Sequence, residues 1–210
     1  MIHVENISKK LKKKMILSEV SLDFDAGKIY GLKGRNGAGK TMLIRAIAGL
    51  IRVDTGQIRI MDKVLGKDID FPPSLGLLIE NANVLPDFSL TKNLTLLAKI
   101  KKITTADGIR QAIIKVGLDP DDKQPVRRYS LGMKQRAALA QAIFEKPDLI
   151  LLDEPTNAID VAGVSQVREI LLAEKARGAT IIIASHNEED LKLLADEIIY
   201  MAEGRVSDYA

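Results

Sequence analysis

A glycine-rich segment near the start of the chain limits the fold more than any other feature of the sequence. Residues 34–41 read Gly-Arg-Asn-Gly-Ala-Gly-Lys-Thr and satisfy the pattern G-x-x-x-x-G-K-[ST]. Apolar residues at 29–32 predict a strand before the loop, and helical spacing predicts a helix from Lys40 to about Leu50. A glycine-rich turn that only caps a helix is the simpler alternative. The order of strand, loop and helix favours a phosphate-binding loop.

The residue types of this loop suit that chemistry. Glycines let successive backbone N–H groups turn inward around phosphate, and the N-terminus of the following helix adds positive potential. Lys40 is expected to reach the outer phosphates of a nucleotide, and Thr41 to offer its hydroxyl to Mg²⁺. The predicted nucleotide-binding residues of this segment are Gly34, Arg35, Asn36, Gly37, Ala38, Gly39, Lys40, Thr41 and Met42.

Two acidic residues, Asp153 and Glu154, follow a second apolar segment at residues 149–152. In open α/β sheets ligands gather at the carboxyl ends of the strands, which is where these carboxylates are predicted to lie. We expect Asp153 to hold Mg²⁺, directly or through water, and Glu154 to orient or deprotonate an attacking water molecule. A strand that ends in a solvated acidic turn is the alternative, and the phosphate loop argues against it.

The remaining segments predict an α/β fold. Alternating apolar residues at 2–4 and 20–24 flank a lysine-rich turn and indicate an antiparallel sheet. Residues 86–144 have helical spacing instead. After Pro147 strands and helices alternate, which favours a mostly parallel sheet.

These segments predict a single domain over residues 1–210. A hydrophobic content of 46% is enough for a proper core, and the sequence holds neither repeats nor a long linker. We expect a nucleotide-binding core with the antiparallel β subdomain at residues 1–85 and 146–210, and an inserted α-helical subdomain at about 86–145.

Composition excludes several kinds of chemistry. The chain has no cysteine, which excludes disulfides, thiolate catalysis and cysteine-bound zinc. A formal net charge of +3 and 4% aromatic residues argue against a nucleic acid partner. For the lysine-rich turn at residues 9–14, a solvated hairpin is favoured over contact with acidic lipid or a nucleotide. Apolar runs fall far short of the roughly 20 residues that span a membrane, and the start lacks a secretory signal, so we expect the chain to remain where it is made.

Three further segments resemble the ABC ATPases. Residues 129–136, Tyr-Ser-Leu-Gly-Met-Lys-Gln-Arg, resemble the signature segment of that family, residues 157–160 are similar to its D-loop, and His186 stands at its switch-histidine position. The resemblance covers essentially the whole chain and implies a P-loop NTPase core of ABC ATPase type that binds ATP and Mg²⁺ and hydrolyses ATP. Residues 75–81, with residues 130–136, are similar to the bacitracin and lantibiotic exporter or immunity branch.

The resemblance also implies a head-to-tail dimer with a second ABC ATPase subunit and two shared ATP sites. Each site would take the phosphate loop, Asp153, Glu154 and His186 from one subunit, and Ser130 and the Gly132 backbone from the other. Hydrolysis would remove the ligand that joins the subunits, so the dimer would loosen and move attached membrane subunits. The implied catalytic residues are Glu154, His186, which would bond the γ-phosphate, and Lys40.

Three positions depart from the family pattern. Glu80 stands where the family usually has a glutamine that contacts Mg²⁺, and a carboxylate can still bind the metal, although drift at a tolerant position is the alternative. Leu11 occupies the usual place of an aromatic residue that stacks on adenine, so we expect weaker base discrimination, with GTP competing. Leu131 replaces one signature glycine and leaves Gly132 in place. The implied metal-binding residues are Thr41, Asp153 and Glu80.

The resulting hypothesis is the cytoplasmic motor subunit of an ABC transporter, bound to the inner face of the cell membrane through a separate transmembrane permease subunit. The branch resemblance suggests export of a peptide, antibiotic or other amphiphile. The docking surface is expected within residues 80–97, where Val84, Leu85 and Phe88 would receive a helix of the permease or, alternatively, belong to the subdomain core.

Two other classes of function are weaker. A non-transport ABC ATPase acting in translation or DNA maintenance would have two tandem ATPase halves or a long coiled-coil insertion, and neither fits in 210 residues. A GTPase or a small-molecule kinase is a second alternative. Residues 91–94, Thr-Lys-Asn-Leu, lack the aspartate of a guanine-reading motif, and a kinase does not need the signature segment.

Overall fold

Two β-sheets form the centre of the protein, of which the computed structural model describes residues 1–79 and 84–207. The strands are β1 (Ile2–Leu11), β2 (Lys14–Phe24), β3 (Ile29–Lys33), β4 (Thr55–Ile60), β5 (Lys63–Val64), β6 (Leu75–Leu78), β7 (Leu149–Asp153), β8 (Thr180–Ala184), β9 (Glu197–Ala202) and β10 (Arg205–Ser207). One sheet is antiparallel, in the order β2-β1-β4-β5. The other has the order β10-β9-β3-β8-β7-β6, and all of its strand pairs are parallel except β9 with β10. The predicted α/β fold is confirmed.

Helices cover the parallel sheet. They are α1 (Lys40–Ile47), α2 (Leu90–Lys101), α3 (Ala106–Lys115), α4 (Leu131–Ile143), α5 (Val161–Ala176) and α6 (Glu188–Leu194), with a short 3₁₀ helix at Val126–Arg128. Helices α2, α3 and α4 lie between β6 and β7 in the chain, in the segment with predicted helical spacing. The division into subdomains stays a prediction. Among the described residues, no helix has the length and apolar character needed to cross a membrane.

Both faces of the parallel sheet are buried, which explains the continuous apolar runs in its strands. Ile150 and Leu152 of β7 pack in one core with helices α2 to α5. Leu149 and Leu151 pack in a second core with α1 and the antiparallel sheet. The carboxyl ends of the central strands therefore emerge from a support that is packed on two sides.

Helix α1 ends earlier than the sequence predicts, at Ile47 rather than near Leu50. Gly49 has a φ of 78°, in the left-handed region, and its N–H donates to the Ala46 carbonyl at 3.1 Å. The next N–H, of Leu50, donates to Arg45 at 2.9 Å. The chain is thus turned back over the last helical turn, which is how a glycine commonly ends a helix.

The lysine-rich turn is also shorter than predicted. Because β1 extends to Leu11 and β2 begins at Lys14, only residues 12 and 13 form the turn. Lys9 and Lys10 are strand residues instead, and the ammonium of Lys9 and the backbone N–H of Lys10 each donate to Asp54 at 2.7 Å.

Candidate functional site

The phosphate loop connects β3 to α1, where the sequence predicts it. Gly34 follows the strand, and a Cβ at that position would lie 2.3 Å from a backbone carbonyl of β9, so a side chain does not fit. Gly39 precedes α1 with a φ of 104°, which disfavours other residues. The loop therefore brings residues 34–39 to the N-terminus of α1. Lys40, Thr41 and Met42 form the first turn of the helix, and Met42 packs partly against the core.

Lys40 is almost fully buried, with 6% of its surface exposed. Its ammonium donates to the carbonyl oxygens of Gly34 at 2.7 Å and Arg35 at 3.3 Å, so the charge is held across the loop. Phosphate oxygens are stronger acceptors for an ammonium group than neutral carbonyls. The position and chemistry of Lys40 thus suit an outer phosphate group lying in the loop.

Thr41 and Asp153 meet at the base of the loop. The Thr41 hydroxyl donates to Asp153 Oδ2 at 2.7 Å, which joins α1 to the end of β7. Magnesium in nucleotide sites prefers oxygen ligands and commonly takes one or two carboxylates together with substrate phosphates. These two residues fit that donor set. Among the residues that the structure describes, no group of three or more His, Cys, Asp or Glu side chains forms a separate metal site.

Glu154 and His186 form a close pair beside this point. Glu154 Oε2 lies 2.8 Å from His186 Nδ1, and Oε1 accepts the backbone N–H of His186 at 3.1 Å. The pair is near because β7 and β8 are neighbours and Glu154 and His186 follow their carboxyl ends. Glu154 has a φ of 51°, although a left-handed backbone costs a residue with a side chain about 1–2 kcal/mol. A carboxylate next to an imidazole can take up and pass on a proton.

A buried carboxylate joins the loop after Glu154 to the helix after His186. Asp190 of α6 is 3% exposed. It accepts the Thr156 hydroxyl and the Arg168 Nε–H, each at 2.8 Å. The two chain segments that carry the Glu154–His186 pair are therefore connected to each other behind it. Asp190 and Arg168 were not predicted as site residues, since a lone acid and a lone base in separate helices have no local sequence pattern.

Ser130 and Gly132 lie at the N-terminus of α4. Ser130 caps the helix, because its hydroxyl accepts the Met133 N–H at 3.2 Å. Among residues 1–79 and 84–207, the hydrogen bonds of Ser130 stay within its own helix, and Leu131 beside it is 63% exposed. A Cβ on Gly132 would lie 3.0 Å from the Ala158 carbonyl, so the helix tip approaches the loop after β7.

Two side chains of α4 contact that same loop. Gln135 donates from Nε2 to the backbone carbonyl of Glu154 at 2.9 Å. Arg136 donates from Nη2 to Asp160 at 3.1 Å. The signature segment is thus bonded to the segment that begins with Glu154. The structure does not bring Ser130 to the phosphate loop of the same chain through any hydrogen bond of the described residues.

A cavity of about 1200 Å³ opens beside the phosphate loop. Residues 34–38 and His186 line it, together with the β9–β10 turn and the start of β2, including Lys14 and Met15. Leu11 is 44% exposed at the end of β1 and is not among these lining residues of the described chain. Met15, which is 46% exposed, lines the cavity instead. Met15 was not predicted as a site residue, although an apolar residue at a position where strand alternation expects a polar one is a signal that the sequence contains.

Lys33, which lines this cavity, forms an ion pair with Glu188 of α6. Hydrogen bonds from Lys192 and Lys33 lower the pKa of Glu188 to about 2. Lys33 also lies with its ammonium 5.2 Å from the ring centroid of Tyr200, which lines the cavity. Glu188 thus connects α6, just after His186, to the last residue of the strand before the phosphate loop.

The remaining predicted residues are Glu80 and those of the expected docking surface for a membrane subunit. Glu80 lies outside the described residues. Val84 packs partly against the core, whereas Leu85 is 51% and Phe88 43% exposed. The exposed pair is available to a partner, and Val84 has the core position that the sequence analysis left as its alternative.

In fold and in site, the protein is a phosphate-loop NTPase. A family model described as ABC transporter matches residues 17–157. The chain accordingly belongs to the ABC transporter family, as an ATP-binding subunit that hydrolyses ATP, and the resemblance noted in the sequence is confirmed.

Curated relatives cover almost the whole chain. An ABC transporter ATP-binding protein of Bacillus subtilis, YybJ, is 53% identical over 98% of this chain and 94% of its own length. The lantibiotic transport ATP-binding protein SrtF of Streptococcus pyogenes is 36% identical over 98% and 89% of the two chains. The bacitracin transport ATP-binding protein BcrA of Enterococcus faecalis is 35% identical over 98% and 67%.

A solved structure has the same fold. The dimeric structure of MJ0796, a bacterial ABC transporter cassette, matches with a TM-score of 0.90 over 99% of this chain and 97% of that one. The two sequences are 21% identical, so this likeness concerns the fold.

Proposed function

We propose that this chain is one of two ATPase subunits that close on shared ATP molecules and thereby move a separate membrane subunit. The observation that carries the shared site is the tip of α4, where Ser130 and Gly132 lie beside the exposed Leu131. A helix N-terminus offers N–H donors and partial positive charge to an anion. A γ-phosphate held in the phosphate loop of a second subunit has the matching charge. The fold relative MJ0796 is dimeric, which supports the same arrangement.

Hydrolysis in this site begins with a water molecule beside the γ-phosphate. Glu154 orients the water and takes one of its protons while the water oxygen bonds to the γ-phosphorus. The bond from that phosphorus to the β,γ-bridging oxygen breaks, and ADP leaves with the electron pair. Lys40 compensates the charge of the phosphate oxygens, and His186 keeps the carboxylate in place and bonds the γ-phosphate.

Thr41 and Asp153 are the residues that would hold Mg²⁺ in this site, with Glu80 as a further candidate. The Thr41 hydroxyl and a carboxylate oxygen of Asp153 lie 2.7 Å apart at the base of the loop, as a magnesium site with few protein ligands requires. When bound, the cation neutralises phosphate charge.

The membrane subunit is expected to dock near Leu85 and Phe88, the exposed apolar residues after the segment that contains Glu80. This contact would hold the ATPase on the cytoplasmic face of the membrane. SrtF and BcrA are named for lantibiotic and bacitracin transport, which supports a peptide or another amphiphile as the transported substance, moving outward. Because neither Leu11 nor Met15, the hairpin residue that lines the cavity, has an aromatic ring to stack on a base, we also expect GTP to compete appreciably with ATP.

Replacing Glu154 tests this function. Glu154→Gln is expected to bind ATP with Mg²⁺, to turn it over about 10²–10⁴-fold more slowly, and to accumulate as a closed dimer, because the group that accepts the proton is lost. Size-exclusion chromatography with light scattering measures the mass with and without ATP. Glu169→Gln makes the same change on the exposed surface of α5 and is expected to behave like the wild type. A Glu154→Gln chain that stays monomeric with ATP would contradict the shared site.

A further inference from the structure

The backbone of Glu154 has a conformation that its sequence context does not favour. Its φ of 51° lies in the left-handed region, and the next residue is Pro155. A residue before proline is normally driven to extended backbone, and a side chain adds to the cost of the left-handed region. Such a conformation persists only where the surroundings hold it, and it is concentrated at functional sites.

Hydrogen bonds hold this backbone on both sides. The N–H of Glu154 donates to the Ala184 carbonyl of β8 at 2.8 Å. Its carbonyl accepts the Asn157 N–H at 3.2 Å and the Gln135 side-chain amide at 2.9 Å. The first bond belongs to the sheet edge and the second to the local turn. Gln135 supplies the contact from outside, from helix α4.

Gln135 follows Ser130 by five positions on the helix that begins with the signature segment. Only the NH₂ end of its amide can donate to a carbonyl, so the contact requires a donor at this position. Gln135 lies in the second turn of α4, which runs from Leu131 to Ile143, so one helix carries both the signature tip and the amide.

We propose that Gln135 is a positioning residue for Glu154. By bonding the Glu154 carbonyl, it keeps the backbone in the left-handed region and so keeps the carboxylate directed at His186 and the reacting water. Without this bond the backbone relaxes toward the extended conformation that Pro155 favours, which swings the Cα–Cβ bond and moves the carboxylate. The inference rests on the proposed role of Glu154 as the group that accepts the proton, and it links the signature helix to the hydrolytic group of its own chain.

Gln135→Met tests the assignment, because methionine has a similar size and no donor. We expect kcat for ATP to fall about tenfold or more, since a displacement of about 1 Å can cost up to about 100-fold, while the affinity for ATP stays within about twofold. Gln135→Lys, which restores a donor on a long side chain, is expected to recover part of the loss. Gln135→Glu, which sets an acceptor against the carbonyl, is expected to lose at least as much as the methionine variant.

Gln166→Met is the matched control. Gln166, in α5, is also half-buried and also donates from Nε2 to a backbone carbonyl, that of Lys115 at 3.0 Å. Its Oε1 accepts Arg136 Nη1 of α4 at 3.3 Å, so the control loses a contact to the signature helix but none to Glu154. We expect this variant to lower the thermal unfolding midpoint about as much as Gln135→Met and to leave kcat unchanged. An equal fall in kcat would show that the loss is merely structural and would overturn the proposal.

A double-mutant cycle with Glu154→Gln distinguishes the proposed role of Gln135 from the proposed role of Glu154 on which it rests. If Gln135 acts through the Glu154 carboxylate, adding Gln135→Met to Glu154→Gln changes the residual rate by less than about twofold. An equal fall in both backgrounds, or no fall in the wild-type background, would overturn the assignment of Gln135. A Glu154→Gln chain that hydrolyses ATP at the full rate would instead overturn the proposed function itself.

Discussion

Around the phosphate loop, side chains bond to other residues of the same chain, whereas the tip of the signature helix faces outward. The Lys40 ammonium donates to a carbonyl of the phosphate loop, and the Thr41 hydroxyl donates to Asp153 at the end of β7. Glu154 lies within hydrogen-bond distance of His186, just after β8. Ser130 bonds only within its own helix among the described residues, and Leu131 next to it is 63% exposed.

This difference corresponds to two requirements of the proposed reaction, the binding of ATP and its hydrolysis. The phosphate-loop region is held in place by the sheet before a nucleotide arrives, so the chain by itself contains the groups for binding. In the proposed shared site, the signature region offers its donors to the nucleotide of a second subunit. Binding and turnover therefore depend on the two regions in different ways, and substitutions can test this.

The largest effect is expected at Lys40. Lys40→Ala removes a buried cation, and hydrogen bonds to charged groups contribute about 1.5–3 kcal/mol each, so the loss of the two bonds that its ammonium is expected to make to phosphate oxygens lowers ATP affinity by at least about 100-fold. Isothermal titration with ATP measures this. Lys28→Ala removes an exposed lysine paired with Asp25 and is expected to bind as the wild type does. If Lys40→Ala binds ATP normally, the phosphate-loop region is not the binding half.

A smaller effect, on a different quantity, is expected at Ser130. Ser130→Ala should leave the ATP affinity of dilute, single chains unchanged and lower steady-state turnover at high protein concentration about tenfold, as expected for the loss of one charge-assisted donor. Nucleotide titration and a phosphate-release assay measure the two quantities.

Thr105→Ala is the control for the lost helix cap. Thr105 caps α3 by accepting the Gly108 N–H at 3.1 Å, so both variants lose about 1 kcal/mol of stability from the cap. Only Ser130→Ala is expected to lose turnover. An equal loss in the two variants would remove the distinction between the inward and outward regions.

The smallest effect is expected for Glu188, which pairs with Lys33 of the strand before the phosphate loop and with Lys192 within α6. Because the pKa of Glu188 falls from 4.5 to about 2 on folding, its contribution to stability is present above pH 4.5 and is lost as the pH falls toward about 2. Glu188→Gln should therefore melt slightly below the wild type at pH 7, with the gap closing over that acid range. Thermal unfolding of both proteins across this range tests it, and a gap that widens with acid would contradict it.

Local patterns account for most of the fold. Apolar runs in β7 and β8 are continuous because both sheet faces are buried, and alternation in β1 and β2 follows from one buried face. The sequence also located the phosphate loop and the acids after β7, since each belongs to a contiguous segment. Boundaries at Ile47 and in the lysine turn were wrong because glycine geometry and the Asp54 contacts decide them.

The supporting contacts of the site could not be predicted in the same way. Gln135 and Glu154 lie 19 positions apart, and Asp190 and Arg168 lie 22 apart, so no periodicity connects them. The cavity lies beside Met15 rather than Leu11, because the start of β2, and not the end of β1, lines it together with the phosphate loop. Such pairings arise from the packing of distant segments, which one sequence does not encode as a local pattern.

Gly76 in β6 sets the distance between the sheet and α4, the helix whose tip faces outward. A Cβ at this position would lie 1.9 Å from the Ala142 carbonyl, so α4 rests on the strand with backbone against backbone. The spacing between helix and sheet is therefore set here by contact between backbone atoms. No side chain lies between them whose replacement could change it. Residues on the outer side of α4 can vary in size while the last turn of the helix keeps its spacing from the sheet.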